Sequence, residues 1–363
     1  MNHANVIGAG PAGWAAARQL GRAGWSVDLY GQEPQTPYNR VQVSKAFLTS
    51  EATPVDFALG ALPESVTLHQ GETIKVKDGR LIRFNDGQHI EGPTVLATGG
   101  TPKSLPAFEN GFVLRTYRDS QRLREHLSGG ARTVHVLGAG VLGMETASAL
   151  TTLGHEVVVH DIAPEVMQRF LPGQAAKWLR HIHESRGTHF ALGTSAALAS
   201  TATLVVSIGI TPNTELANSL GIEVMDGIVV DALGRTSRPG IYAAGDCTTL
   251  RIGNDHRRDE DLASARASGI RSATGILVDA GEMKNSPSFE LPVSRRWSMQ
   301  AGLRVTTVGD VSSGVEHVAT SPLSGTFESA VVRDGIVIGA VSIGEKPNPR
   351  GTLATVGKHW NDK

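Results

Sequence analysis

The chain has 363 residues, 40% apolar and 19% charged, with a net charge of −1. Such a balance gives no global attraction to nucleic acid or to an anionic membrane, and no run approaches the ~18 apolar residues of a membrane span. The single cysteine, Cys247, excludes a disulfide framework and a C-x-x-C redox pair, which makes a cytoplasmic location the default expectation.

In chain order, Asn5–Gly8 is expected as a strand. A Gly-rich turn, a helix from about Ala12 to Ala23 and a second strand at Ser26–Tyr30 follow, which is a βαβ start. Residues 34–50 read as loop and then helix. Between Glu72 and Ile90 the alternation is strand-like, broken by the hairpin signals Asp78-Gly79 and Asp86-Gly87. The apolar strand Thr94–Ala97 runs into Thr98-Gly99-Gly100. The pattern then restarts, with strand Thr133–Leu137, turn Gly138–Gly143, helix Met144–Leu153 and strand Glu156–His160. Thr203–Ile208 and Gly240–Ala244 read as later strands. Beyond residue 281, Arg304–Val308, Gly314–Val318, Phe327–Arg333 and Ile336–Ile343 outline a small α+β or mostly β C-terminal domain. The expected class is α/β, with two Rossmann-type dinucleotide-binding domains and that third domain.

Gly8-x-Gly10-x-x-Gly13 follows a strand and opens a helix through Pro11 and Ala12. In such a string the first glycine permits the tight turn and the second lets the backbone approach a pyrophosphate. The third allows close helix–strand packing, and the helix N-terminus faces the phosphates. Glu33 lies just past the second strand, where a carboxylate can take ribose hydroxyls. Gly138-x-Gly140-x-x-Gly143 repeats the arrangement, with Asp161 closing its second strand. Two copies imply two dinucleotides. An acid at Asp161 repels a 2′-phosphate, which favours NADH over NADPH.

Further strings make the chain resemble the two-dinucleotide-fold flavoprotein reductases, and among them the ferredoxin reductases that serve oxygenases and P450 enzymes. Pro37-Tyr38-Asn39-Arg40-Val41-Gln42-Val43-Ser44-Lys45 resembles the family's segment beside the flavin. Leu96-Ala97-Thr98-Gly99 with Pro102 resembles its crossing between domains. Gly209 through Pro212-Asn213, and Ile241-Tyr242-Ala243-Ala244-Gly245-Asp246, resemble the approach to the second flavin fingerprint and that fingerprint itself. The resemblance implies FAD and NADH as cofactors. It gives Lys45 a place near flavin N5, paired with Glu145 where nicotinamide stacks. It gives Arg40 the flavin phosphates or ribityl, and Asp246 the ribityl or phosphate region. Trp297, in Arg296-Trp297-Ser298-Met299-Gln300, is similar to the tryptophan of the family's W-S-D-Q string.

The implied organisation is an FAD domain of residues 1–103 and 231–280, an NAD domain of 104–230 and a C-terminal domain of 281–363. Lys45 and Glu145 then come from different domains. Redox cysteines are missing near Arg40–Lys45, which removes thiol–disulfide chemistry. Electrons are therefore expected to leave singly for a [2Fe–2S] ferredoxin, with Arg251, Arg257, Arg258, Arg295, Arg296 and Arg304 as docking charges. Alternatives are a stand-alone NADH-dependent oxidase or small-molecule reductase, and a redox-sensing flavoprotein of the apoptosis-inducing-factor type. A monomer or homodimer is expected.

Departures from the family strings, Val41 and Gln42 for two prolines and Met299 for an aspartate, fall where an electron acceptor would dock. His181 and His183, two apart on an expected helix, point to different faces and make no metal pair. Cys247 reads as a small buried residue.

Overall fold

The structure is a computed structural model and describes residues 2–196, 198, 202–283, 293–319, 325–346 and 351–360. It forms two compact units. One comprises Met1–Val41, Ala52–Thr101 and Ile210–Glu290; the other comprises Gln42–Glu51, Pro102–Gly209 and Leu291–Lys363.

The first unit is built on a five-stranded sheet, in the order Ile241–Ala243, Thr94–Leu96, His3–Ile7, Ser26–Gly31 and Val66–Gln70. Every pairing in it is parallel. Parallel sheets are buried on both faces, so their strands read as apolar runs. On one face Val6, Leu29 and Val95 are fully buried against helix residues such as Leu20 and Ile276, and on the other Ile7 and Leu96 are buried against Ile228 and Cys247. The helix Pro11–Arg22 crosses the helix Leu262–Asp279 closely, because Gly269 has no side chain: a Cβ there would stand 2.1 Å from the Ala12 carbonyl oxygen. The expected Asp78-Gly79 hairpin joins Ile74–Lys77 to Arg80–Arg83, with φ of 50° and 70° at its two central residues, as a primed turn requires.

The second unit has a four-stranded parallel sheet, in the order Thr188–Leu192, Glu156–Asp161, Thr133–Leu137 and Thr203–Val206. It also holds a five-stranded antiparallel sheet, in the order Arg295–Gln300, Leu303–Gly309, Ile336–Gly344, Phe327–Arg333 and Val315–Val318. The helix Gly173–Ser185 ties the two sheets together. Glu316 caps its start, accepting from the Gln174 and Ala175 N–H groups at 2.6 and 3.0 Å. Trp178 packs on Phe327, with ring centroids 5.7 Å apart.

Several stretches group differently from the expected domain boundaries, residues 102–103 and 281–283 among them by a small shift of the edge. Residues 210–230 belong to the first unit, where Asn213 donates its backbone N–H to Gly99 O and its side-chain amide to Thr98 O, both at 2.9 Å. Residues 42–51 belong to the second. There the Ser120 hydroxyl donates to Val43 O at 2.8 Å, Arg124 donates to Ser50 O, and Phe47 meets Tyr117 edge to face. The C-terminal sheet joins the second unit through the helix contacts just described. The second fingerprint helix also starts earlier than expected, at Val141, so that Gly143 is a helical residue rather than part of the turn.

Candidate active site

The two glycine fingerprints repeat the same stereochemistry. Gly8 and Gly138 take φ of +110° and +102°, a region that costs an L-residue strain. Added Cβ atoms on them would stand 2.1 and 2.2 Å from the carbonyl oxygens of Ala97 and Ser207. On Gly13 and Gly143 they would stand 1.8 and 1.9 Å from the carbonyls of Gly8 and Gly138. The middle glycines differ. A Cβ on Gly140 meets nothing within 4 Å, and one on Gly10 comes no nearer than 3.8 Å, to Arg40 Nε. Packing therefore accounts for the outer glycines. The middle ones, each the N-cap of its helix, leave an open cradle that fits a pyrophosphate.

Around the first cradle, Glu33 accepts from Tyr38 Oη at 2.6 Å and pairs with Arg40. The carboxylate expected at a ribose and the cation expected at a phosphate thus hold each other beside Gly10. Ala97 donates its N–H to Ile7 O at 2.7 Å, and Thr98 Oγ1 donates to Asn213 O at 2.7 Å. Gly99 and Gly245 turn with φ of 67° and 82°. The Gly245 N–H donates to Ser268 Oγ at 2.9 Å, and Asp246 beside it is half-buried. Cys247 is fully buried, and burial pushes its thiol pKa up, which keeps it protonated and unreactive.

At the second cradle, Asp161 accepts from the N–H groups of Ala139 at 2.6 Å and Ala163 at 2.8 Å. Its carboxylate is thereby fixed against the loop it was expected to serve. Gly209 sits in the same unit, with φ of +97°, and accepts from the Lys103 N–H at 3.0 Å.

Lys45 and Glu145 meet, and they do so inside the second compact unit, because residues 42–51 pack there. The Lys45 side chain keeps 19% exposure and Glu145 keeps 7%. Ser44 Oγ donates to Glu145 Oε2 at 2.9 Å, beside Lys45 Nζ. Ser298 Oγ donates to Oε1 at 2.6 Å, with the Met299 N–H at 3.4 Å. A buried carboxylate needs such compensation. A half-buried ammonium, held by an anion that other groups also fix, is a positioned cation able to face developing negative charge.

Sequence reasoning missed Ser44, Ser298, Gln300 and His183 as parts of this centre. Gln300 Nε2 donates to Ser298 Oγ at 2.9 Å, and His183 Nε2 lies 3.0 Å from Gln300 Oε1. Burial is the main cause that pushes the His183 imidazole down to about 4, so it is neutral at physiological pH. His181 is exposed and His183 buried, so the two face apart as expected. The alternation at Ser298 and Gln300 was the available signal.

Trp297 and Met299 lie on the other face of the same strand, and the Arg304 guanidinium sits 5.2 Å from the Trp297 ring centroid. Three of the expected docking arginines are committed to carboxylates. Arg251 pairs with Glu223 at 2.5 Å, Arg257 with Asp259 at 2.8 Å and Arg258 with Asp226 at 2.8 Å. Neutralised pairs steer a partner weakly, so these three are the weaker candidates for docking charge.

A family model described as pyridine nucleotide-disulphide oxidoreductase matches residues 3–269. The chain is 30% identical over 355 residues to the ferredoxin–NAD(+) reductase subunit of a benzene 1,2-dioxygenase system from Pseudomonas putida, covering 89% of this chain and 84% of that protein. It is 34% identical over 280 residues to a rubredoxin–NAD(+) reductase from the same organism, covering 68% and 72%. Among solved structures, the ferredoxin reductase for the CYP199A2 system from Rhodopseudomonas palustris matches with a TM-score of 0.85 and 26% identity, over 94% of this chain and 91% of that one. A putidaredoxin reductase–putidaredoxin complex shares the fold, with a TM-score of 0.83 and 24% identity over 98% and 91%. Among the described residues no helix is long and apolar enough to cross a membrane.

Proposed function

Because this chain belongs to the pyridine nucleotide-disulphide oxidoreductase family, we propose that it is an NADH-dependent FAD reductase that hands electrons to a [2Fe–2S] ferredoxin. The observation that carries this reading is the pair of glycine cradles, each open at its middle glycine, together with the pairing of half-buried Lys45 with buried Glu145. The names of its relatives support the acceptor class, since the benzene and p-cumate dioxygenase components are both ferredoxin–NAD(+) reductases.

In this reading the glycine cradle of the first unit holds FAD, that of the second holds NADH, and the antiparallel sheet forms the C-terminal domain. The Gly10 loop, opened by Pro11 and Ala12, and Arg40 receive the FAD pyrophosphate. Glu33 takes the ribose, and Ala97, Thr98, Gly99, Gly245 and Asp246 line the rest. The Gly140 loop and Asp161 receive NADH, with Gly209 beside them. Lys45 presents its ammonium to the flavin, Glu145 orients Lys45 and meets the nicotinamide carboxamide, and Trp297 covers the flavin edge. Bound FAD would supply hydride acceptance and one-electron release, which is chemistry no side chain here supplies. The chain holds one cysteine, itself buried, so no dithiol intervenes.

Asp161 should decide the nucleotide. Hydrogen bonds to a charged group are worth roughly 1.5–3 kcal/mol, so Asp161→Ala is expected to weaken NADH by roughly 10- to 150-fold. KM values for NADH and NADPH in the variant check this, and an unchanged NADH preference would contradict the assignment. The acceptor is tested by cytochrome c reduction from NADH, with and without [2Fe–2S] ferredoxins. Ferredoxin dependence is expected, with a modest salt effect because three of the arginines are paired. Full turnover with dioxygen or a small molecule alone would replace this reading with that of a stand-alone oxidase.

A further inference from the structure

An ionised carboxylate offers about four acceptor sites, and Glu145 fills them from within its own compact unit. Half of the donors, Ser298 Oγ and the Met299 N–H, come from the edge strand Arg295–Gln300. The direction of the bonds behind them follows from chemistry. Ser298 Oγ faces a group that can only accept, 2.6 Å away, so its proton is committed to Glu145. Its lone pairs must then face a donor, and Gln300 Nε2 stands there at 2.9 Å. That turns Gln300 Oε1 toward His183 Nε2 at 3.0 Å, so His183 must donate, as its Nε2–H tautomer. The donors run one way, from His183 through Gln300 and Ser298 to Glu145. His183, Gln300 and Ser298 are at most 3% exposed, and in such surroundings aligned hydrogen bonds polarise one another.

We propose that Gln300 and His183 are positioning residues of the reductive half-reaction, holding the Ser298 proton on Glu145 Oε1 and so setting the carboxylate that orients Lys45 and the nicotinamide. The proposal rests on the reading of Glu145 given above. Attachment of the C-terminal sheet does not by itself account for the relay. Glu316 and the Trp178–Phe327 contact already fasten that sheet to the helix carrying His183. Nor does attachment require the donors to point one way and end on a carboxylate.

The test has two readouts on the FAD-loaded protein as purified. The first is proton-detected NMR of protein labelled with 15N in histidine, the His183 signal being assigned by its loss in His183→Gln. The relay predicts a neutral Nε2–H tautomer whose resonance shifts in Ser298→Ala and in Glu145→Gln, although neither residue touches the imidazole. An Nδ1–H tautomer, or a resonance indifferent to both changes, would overturn it, and the wild-type tautomer alone decides this if a variant fails to fold.

The second readout is stopped-flow reduction by NADH. Gln300→Leu should lower the limiting rate about tenfold, the effect of one lost hydrogen bond, while the NADH dissociation constant stays at its wild-type value. Ser298→Ala should do the same and Ser298→Thr should restore the rate. In a Glu145→Gln background the Gln300→Leu effect should shrink to within about twofold. A full tenfold effect in that background would show a merely structural role and overturn the proposal. A wild-type rate in Glu145→Gln itself would sink the Glu145 reading, and the positioning role with it, whatever the NMR shows. A slow Glu145→Gln with an unresponsive His183 would sink the relay alone.

Discussion

Lys45→Met is expected to lower stability by about 3 kcal/mol and to slow reduction of the flavin by NADH roughly 100-fold. The stability loss comes from Glu145, a carboxylate of 7% exposure that would lose the ammonium paired with it. Ser44, Ser298 and the Met299 N–H would remain, so the loss belongs at the lower end of what breaking a buried pair costs. The slowing comes from the lost ammonium, comparable to removing one preorganised donor from a site where negative charge develops. The two effects separate in a double variant. Lys45→Met with Glu145→Gln removes the stranded charge, so urea denaturation should show most of the stability regained while stopped flow still shows slow reduction. Stability regained together with a wild-type rate would leave the pair structural.

Gly143→Ala is expected to weaken NADH by about 100-fold, the equivalent of an overpacking penalty near 3 kcal/mol. The added methyl would stand 1.9 Å from the Gly138 carbonyl oxygen, a backbone atom that cannot swing aside. Gly138 is pinned in turn, since its own Cβ position is filled by the Ser207 carbonyl oxygen 2.2 Å away. Relief therefore requires the loop to shift off the helix Val141–Thr152 and to take the cradle with it. FAD content should be unchanged, because the Gly8 loop lies in the other compact unit. NADH titration of the purified variant, beside its flavin absorbance, checks both statements. Wild-type NADH affinity would mean that this loop is not the nucleotide site.

The glycine loops were legible in the sequence because their demands are local. A Cβ on the third glycine of each would clash with the carbonyl of the first, five residues back, and one on the first with the carbonyl just past a neighbouring strand. Such constraints leave a fixed spacing in the chain. The company of Lys45 was not legible. Residues 42–51 pack against Tyr117, Ser120 and Arg124, 70 or more residues on, and no local pattern records that.

The strand Arg295–Gln300 was hidden for another reason. Its period of two is present but inverted: Ser298 and Gln300 are buried, whereas Trp297 and Met299 are 39% and 40% exposed. A strand facing an apolar core turns its apolar side chains inward. This one faces a buried carboxylate, so its polar side chains go in. The arginine pairs were invisible for a similar reason, since Glu223 and Asp226 lie about 30 residues from Arg251 and Arg258 and no helical spacing links them.

The most direct test of the account is anaerobic mixing of the FAD-loaded protein with one equivalent of NADH, followed through the oxidised flavin band. NADH is expected to bleach the band rapidly and fully, NADPH far less well, and Lys45→Met to bleach slowly while still holding FAD. A flavin that stays oxidised with NADH, or that bleaches equally fast in Lys45→Met, would contradict it.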